Sequence, residues 1–198
     1  MGGVQPALHN IANCYAQGRG IAQNDHLAFL YYEAGAEAGD PFAKFTLGSW
    51  LFTGRGRDGS PPDTKKGFQW QLEAAGEGHP IAMFNIGVMY MSGEVIITSF
   101  SGYPHDFPQL LGKDYFCFFF FQVEGVTRDH EKAVEWFEKA AAANVVEAAV
   151  NVGNMYRLGV GVEKDLHKAL SFFKSFASRN ELCQSLADEV EKELQSPS

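Results

Sequence analysis

The sequence predicts an all-α fold, a right-handed α-solenoid of four tandem helix-turn-helix repeats. First, four alanines are each followed five residues later by a small residue, and six residues further by a glycine. Second, a polar residue opens another pattern, with a small residue four positions later and an aromatic residue three positions beyond it. Third, the alanines are 36, 39 and 66 residues apart, a repeat spacing with an excess in the third unit. The alanines are Ala7, Ala43, Ala82 and Ala148, and the glycines are Gly18, Gly54, Gly93 and Gly159.

The first half of each repeat is predicted to be a helix that ends at this glycine. Pro41 and Pro80 suit the first position of a helix, where a missing N–H costs no hydrogen bond. Leu47 and Leu51 lie four residues apart and therefore share one face. The glycine then ends the helix, because it adopts the left-handed conformation without steric cost.

The second half of each repeat is predicted to be a helix that starts after a polar N-cap. These caps are Asn24, Asp63, Asp129 and Asp165. Their side chains accept hydrogen bonds from the unpaired N–H groups of the first turn. We expect the aromatic column of these helices to supply the large buried side chains, each worth ~2–3 kcal/mol. The aromatic column comprises Tyr31, Trp70, Trp136 and Phe172.

These segments resemble the Sel-one-like repeat (SLR), a relative of the tetratricopeptide repeat (TPR) with a glycine-rich connecting loop. The resemblance is carried by the segments Gly87–Gly93, Asp129–Ala141 and Gly153–Val162. It implies a TPR-like helical array and an adaptor that holds protein complexes together, as in endoplasmic-reticulum quality control and signalling scaffolds. Some bacterial members of the family are secreted and carry paired cysteines, which this sequence lacks.

The repeats are predicted at about residues 5–40, 41–79, 80–145 and 146–180, with a C-terminal capping helix and tail at 181–198. The third is interrupted by an insertion at 95–122, where the phenylalanines are concentrated. One alternative is a folded functional insertion. The alternative we favour is a translated intron, because phenylalanine runs before Gln122 fit a thymine run ending in CAG, and every Val95 codon begins with GT. The N-terminal segment resembles the tail of an earlier repeat, so we expect further repeats before Met1.

Composition argues against several classes of function. The net charge of −8 disfavours nucleic-acid binding, which needs clustered Lys and Arg. Three cysteines without a CxxC pair, and histidines without metal-binding spacing, predict no metal and no cofactor, and we expect those histidines to be solvated or to cap helices. No nucleophile has a base at a suitable spacing, which predicts a non-enzymatic chain. The Gly-x-Gly loops follow helices rather than strands and are therefore predicted as turns, not phosphate sites. The longest apolar run is too short to span a membrane, so we expect a cytoplasmic protein without direct membrane insertion.

Polar positions on the first helices are the candidate binding residues. Asn10 with Asn13, and Asn151 with Asn154, form i,i+3 pairs, and Asn85 shares the column of Asn10 and Asn151. In stacked hairpins the first helices line a concave groove. Similar tetratricopeptide domains use asparagines there to hold an extended peptide, since an amide offers both a donor and an acceptor. The alternative is that these positions are simply tolerated exposed polar sites.

Cations near this surface are candidates for further contacts. Lys44 and the loop residues Arg19 and Arg55 are expected to contact an acidic segment of a partner. The sequence therefore predicts a non-enzymatic adaptor or scaffold that binds other proteins, either an extended peptide or a domain. The alternatives are a regulatory subunit of an organelle-associated complex, in endoplasmic-reticulum quality control or mitochondria, and, less favoured, a hydrolase.

Overall fold

The computed structural model describes residues 5–96, 120–122 and 126–195. In these residues it has nine helices and one short antiparallel ladder. The helices are α1 (Gln5–Gln17), α2 (Asp25–Glu37), α3 (Pro41–Thr53), α4 (Thr64–Gly76), α5 (Pro80–Ser92), α6 (His130–Ala142), α7 (Val146–Leu158), α8 (Leu166–Ala177) and α9 (Glu181–Gln195). The strands are β1 (Glu94–Ile96) and β2 (Phe120–Gln122), with Val95 paired to Phe121. The predicted helical-repeat fold is confirmed. The ladder, which was not predicted, joins the two ends of the predicted insertion, and residues 97–119 lie outside the described part of the chain.

The chain divides into two compact units. The first comprises Met1–His79 with Glu94–Val126, and the second comprises Pro80–Gly93 with Thr127–Ser198. In the first unit α1 packs on α2, α2 on α3, and α3 on α4. In the second, α5 to α9 pack in the same consecutive manner. Helices α5 and α6 thus form a hairpin although the predicted insertion separates them in sequence.

The connection inside each hairpin is built in the same way four times. The first helix ends at a glycine with φ between 66° and 75°. The backbone N–H of the N-cap residue then donates to a carbonyl near the end of the first helix. These bonds join Asn24 to Tyr15, Asp63 to Leu51, Asp129 to Tyr90 and Asp165 to Tyr156, at 2.8–2.9 Å. Each N-cap side chain accepts from the backbone N–H three residues later. The predicted glycine ends and N-caps are confirmed.

The large side chain enclosed by each hairpin is not the one predicted. Trp70, Trp136 and the rest of the aromatic column are only partly buried. The residue that follows each of them, here called the inner position, is 0–2% exposed. The inner positions are Tyr32, Gln71, Phe137 and Phe173. One residue along a helix turns the side chain by about 100°, so adjacent positions point in different directions. The prediction therefore chose the wrong one of two neighbouring columns.

Small residues of the first helices make room for the inner positions. A Cβ atom added at Gly87 would lie 2.7 Å from the ring of Phe137, and one at Gly153 would lie 2.5 Å from Phe173. Real Cβ atoms do not come this close to ring carbons, so each glycine is required by the ring that faces it. The small-residue column predicted from sequence thus sets how closely the two helices approach.

Candidate binding surface

In each hairpin of the first unit, a polar side chain at the inner position links the second helix to the first. The Tyr32 hydroxyl donates to Asn13 Oδ1 at 2.7 Å, which links α2 to α1. One repeat later, Gln71 Nε2 donates to Ser49 Oγ at 2.9 Å, which links α4 to α3. Burial raises the pKa of Tyr32 to about 12, so its hydroxyl keeps its proton and remains a donor. A buried donor left unpaired would cost ~1–3 kcal/mol. Asn13 therefore has a structural role that the sequence did not predict.

The corresponding column of the second unit is not used in this way. Asn154 of α7 is equivalent to Asn13, but the inner position of its hairpin is Phe173, which has no polar atom to donate. Asn151 and Asn154 are both partly exposed. Within the described residues, neither side chain makes a hydrogen bond. Both amides therefore keep part of their surface exposed and are not used by hydrogen bonds among the described residues.

The other two predicted asparagines differ in their surroundings. Asn10 is exposed on α1 of the first unit. Asn85 is buried on α5 of the second unit. The column that contains Asn10, Asn85 and Asn151 therefore changes its accessibility from repeat to repeat, which sequence alone did not indicate.

Lys44 is buried and paired inside the first unit. Its Nζ lies 2.5 Å from Glu77 Oε1 and 3.1 Å from Glu73 Oε2, and its side chain is 8% exposed. Burial lowers the pKa of Lys44, but the hydrogen bonds to Glu77 and Glu73 outweigh this and raise it above its ordinary value. Lys44 thus joins α3 to α4, and the partner contact expected of it from the sequence stays a prediction.

The second connecting loop joins two neighbouring hairpins of the first unit. Arg55 Nε and Nη2 each donate to a carboxylate oxygen of Asp25 at 2.9 Å, and its guanidinium lies 4.2 Å from the centre of the Trp50 ring. A Cβ atom at Gly56 would lie 2.6 Å from the Asp25 carbonyl. In the second unit, a Cβ at Gly161 would lie 2.5 Å from the carbonyl of His130. The Gly-x-Gly turns of the second and fourth repeats thus form a seam with the preceding hairpin.

The C-terminal helix α9 is held partly by charge pairs. Arg157 of α7 donates to Glu189 at 3.0 Å, and its Nε donates to Glu193 at 2.7 Å. Cys183, Ala187 and Val190 of α9 are buried. Two carboxylates of α9 therefore bind Arg157 of the preceding hairpin instead of facing only solvent.

Histidine and cysteine chemistry adds no reactive centre in the part of the chain that the structure describes. No group of three or more metal-binding side chains is found there. Burial raises the pKa of the Cys183 thiol, which disfavours the reactive thiolate. His79 was expected to be solvated or to cap a helix, but it is buried. The centre of its ring lies 4.8 Å from the ring centre of Phe42 and 4.4 Å from that of Phe45. Burial lowers the pKa of His79 to about 4.

The described helices can be compared with the requirements for crossing a membrane. None of those in residues 5–96 and 126–195 combines the length and the apolar character that a membrane span requires.

The Sel1 repeat matches residues 5–40, 41–79, 80–99, 110–145 and 146–181. Chitin synthase regulator SKT5 of Saccharomyces cerevisiae is 32% identical over 93 residues, which are 46% of this chain and 13% of that protein. Because the chain spans so little of that relative, the similarity describes a shared segment rather than the whole yeast protein.

Two solved structures share the architecture. A Sel1 repeat protein from Oxalobacter formigenes aligns with a TM-score of 0.74 at 24% identity, over 94% of this chain and 45% of that chain. The protein c5321, a protective antigen of uropathogenic Escherichia coli strains with an SLR fold, aligns with a TM-score of 0.65 at 27% identity, over 96% of this chain and 34% of that chain. The chain spans less than half the length of either structure. These similarities establish a helical array of this repeat class.

Proposed function

Because the chain belongs to the Sel1 repeat family, we propose that it is a non-enzymatic adaptor that binds other proteins through the first helices of its repeats. Stacked helical repeats present extended surfaces that proteins of this architecture use for binding. The observation that carries the proposal is the pair Asn151 and Asn154, two partly exposed amides on α7 that the described fold does not use. An amide offers one acceptor and two donors, which suits a peptide backbone.

The spacing of this pair fits an extended peptide. Residues three apart on a helix have Cβ atoms about 5–6 Å apart. Alternate residues of an extended chain are about 6.6 Å apart, from a rise of about 3.3 Å per residue. Asn151 and Asn154 therefore match backbone groups on alternate residues of a bound segment. Asn10, which is exposed in the same column as Asn151, is the corresponding contact of the first repeat.

The contacts within the units also refine the set of binding residues. Asn13 accepts from Tyr32 and Lys44 binds two glutamates, so exchanging either would damage a hairpin as well as a binding surface. Asn85 is buried and would contribute only after a local rearrangement. The binding surface of the second unit is therefore assigned to Asn151 and Asn154, and Asn10 is a separate candidate in the first unit.

Affinity capture with mass spectrometry tests the proposal. The bait is the full chain, compared with the double variant Asn151→Ala/Asn154→Ala. Loss of two hydrogen bonds at ~0.5–1.5 kcal/mol each predicts a fall in the recovery of specific partners of about 5- to 150-fold. The matched control is Gln69→Ala/Gln184→Ala, which removes two exposed amides from other helices. Circular dichroism checks that both variants are folded. Equal recovery by the two variants would overturn the assignment.

A regulatory subunit of an enzyme complex is the second candidate, favoured by the name of the yeast relative, a chitin synthase regulator. In this role the captured proteins would include an enzyme, in an organelle-associated complex such as one of endoplasmic-reticulum quality control or of mitochondria. Adding the purified chain to that enzyme would then change its turnover, whereas a pure scaffold would leave it unchanged. The Asn151→Ala/Asn154→Ala variant serves as the control for specific binding.

A further inference from the structure

The loop between α3 and α4 is longer than its counterparts and carries a serine followed by two prolines. It covers residues 54–63, ten in all, whereas the loops 18–24 and 159–165 of the first and fourth repeats have seven. Neither of those loops contains a proline. The serine, Ser60, is exposed, and its hydroxyl makes no hydrogen bond within the described residues. The longer loop therefore presents an unengaged hydroxyl directly before a proline.

The backbone of this loop fixes the position of the serine. The Ser60 N–H donates to the Arg57 carbonyl at 2.9 Å, which closes a tight turn. The two central residues of the turn, Asp58 and Gly59, both have positive φ angles. A Cβ atom at Gly54 would lie 3.0 Å from the Ser60 carbonyl, so this part of the loop packs on the end of α3. The serine is thus held by its backbone while its side chain faces solvent.

Two cations line a shallow cavity beside this serine. The Arg57 guanidinium donates to the carbonyl of Pro61, the residue next to Ser60. Lys65, in the first turn of α4, lines the same cavity, which measures about 230 Å³. In the part of the chain that the structure describes, neither cation forms an ion pair with a carboxylate. The remaining lining residues are Pro61, Pro62, Asp63 and Thr64.

The carboxylates of the loop are engaged elsewhere and do not neutralise these cations. Asp58 Oδ2 lies 3.0 Å from His26 Nδ1, and Asp63 caps α4 by accepting from the Lys66 N–H at 3.0 Å. Residues 54–65 carry three cations and two carboxylates, a net charge of +1. A phosphate group carries about −1.5 to −2 charges at pH 7 and is stabilised by nearby cations and by a helix N-terminus. The cavity therefore has the charge and the position to hold a phosphate attached to the serine.

We propose that Ser60 is a phosphorylation site for a proline-directed protein kinase, and that Arg57 and Lys65 bind the phosphate. Ser60 Oγ attacks the γ-phosphorus of ATP, and the hydroxyl proton passes to the catalytic base of the kinase. The Oγ–P bond forms, the bond from this phosphorus to the β,γ-bridging oxygen breaks, and ADP leaves.

The backbone around the serine suits this reaction. Because Ser60 and Pro61 each precede a proline, both are restricted to extended backbone, as a substrate in a kinase groove requires. Once attached, the phosphate would replace the hydrogen bond from Arg57 to the Pro61 carbonyl by a stronger charge-assisted one. Phosphorylation would thereby fasten the loop to the start of α4 and reverse the sign of its charge.

Phosphorylation of the purified full chain tests the site. The chain carries Ser196→Ala, which removes the other serine followed by proline, and is incubated with MgATP and an active mitogen-activated protein kinase. Mass spectrometry should show one added phosphate, located on Ser60. Ser60→Ala should abolish the addition, and Pro61→Ala should slow it about tenfold or more. The matched control Ser178→Ala removes an exposed serine that no proline follows, and should leave the rate unchanged. A chain that takes up no phosphate, or takes it up equally fast after Pro61→Ala, would overturn the proposal.

The titration of the attached phosphate tests its binding to the two cations. Phosphoserine has a second pKa of about 6, and neighbouring cations lower this pKa because they favour the doubly charged form. Phosphorus NMR should therefore give a pKa about half a unit lower in the phosphorylated chain than in its Arg57→Gln/Lys65→Gln variant. The control Lys164→Gln removes an exposed cation from the loop of the fourth repeat, and should leave the pKa unchanged. Equal pKa values in the chain and the double variant, with both folded by circular dichroism, would refute the phosphate site.

Discussion

Phe137→Ala should cost far more stability than Trp136→Ala, although tryptophan is the larger residue. Phe137 is 0% exposed, and its ring fills the space left by Gly87. Its burial is worth about 1.5–3 kcal/mol by transfer, and the cavity left by alanine raises the expected loss to about 3–5 kcal/mol. Trp136 is only partly buried. The Lys139 ammonium lies 4.3 Å from the centre of its ring, a cation–π contact worth about 0.5–1 kcal/mol at an exposed site. We expect its exchange to cost about 1–1.5 kcal/mol.

Urea unfolding followed by far-UV circular dichroism measures this difference without relying on tryptophan fluorescence. Because helical repeats open locally, hydrogen exchange of α5 to α7 should be recorded in parallel. Phe173 and Phe172 of the next hairpin provide a second pair, in which Phe173→Ala is the costly exchange. If Trp136→Ala proved as destabilising as Phe137→Ala, the assignment of the inner position would be refuted, and the aromatic column would be the true core.

Three further predictions concern charged groups. Stability should fall by about 3 kcal/mol between pH 7.5 and pH 4, because folded His79 stays neutral, with a pKa of about 4, while the unfolded chain takes up that proton near pH 6.5. Urea unfolding of the wild type and of His79→Gln at several pH values isolates this contribution. Lys44→Met should change the unfolding free energy by less than about 1 kcal/mol, whereas Glu73→Gln/Glu77→Gln should cost about 2 kcal/mol or more, since it leaves a buried ammonium unpaired. Thermal unfolding compares the two. Arg157→Ala should speed hydrogen exchange of α9 about fivefold, for a loss of about 1 kcal/mol in a partly exposed ion pair.

Each of these has an outcome that contradicts it. The same pH dependence in His79→Gln would show that another group is responsible. A larger loss for Lys44→Met than for the double glutamine variant would mean that the charge itself stabilises the α3–α4 hairpin. Unchanged exchange in α9 after Arg157→Ala would assign its docking to the buried residues Cys183 and Val190 alone. Exchange in α1 to α4 is the internal control for that last experiment.

Helix ends were predictable because their signals act locally. An N-cap side chain binds a backbone N–H only three residues away, and a glycine ends a helix through its own φ angle. Asp129 and Gly93 therefore behaved as predicted even though a predicted insertion separates them. The ladder of β1 and β2 was missed because its pairing depends on contacts 24 to 28 residues apart, such as Glu94 with Gln122. The origin of residues 95–122 stays a prediction.

The core column was missed because helix phase is set by the facing helix. In the first, third and fourth repeats, both of two adjacent positions are aromatic, as in Trp136 followed by Phe137. The aromatic column was favoured because it is aromatic in all four repeats. The inner position was overlooked because in the second repeat it is Gln71, a polar residue that does not suggest a core site. Only the position of the small residue opposite, such as Gly87, decides which ring turns inward.

The sequence indicates which residue types line the candidate site, but not which of their side chains the fold already uses. Charges such as Lys44 are visible in the sequence, yet its partners Glu73 and Glu77 lie 29 and 33 residues away, so the pairing is fixed only by folding. The same reasoning separates Asn13 from Asn154. Across the hairpin, Asn13 meets the hydroxyl of Tyr32, while the equivalent position opposite Asn154 is the apolar Phe173. The Asn13 amide is therefore bound inside its hairpin, whereas Asn154 faces an inner position that has no polar atom to pair with it.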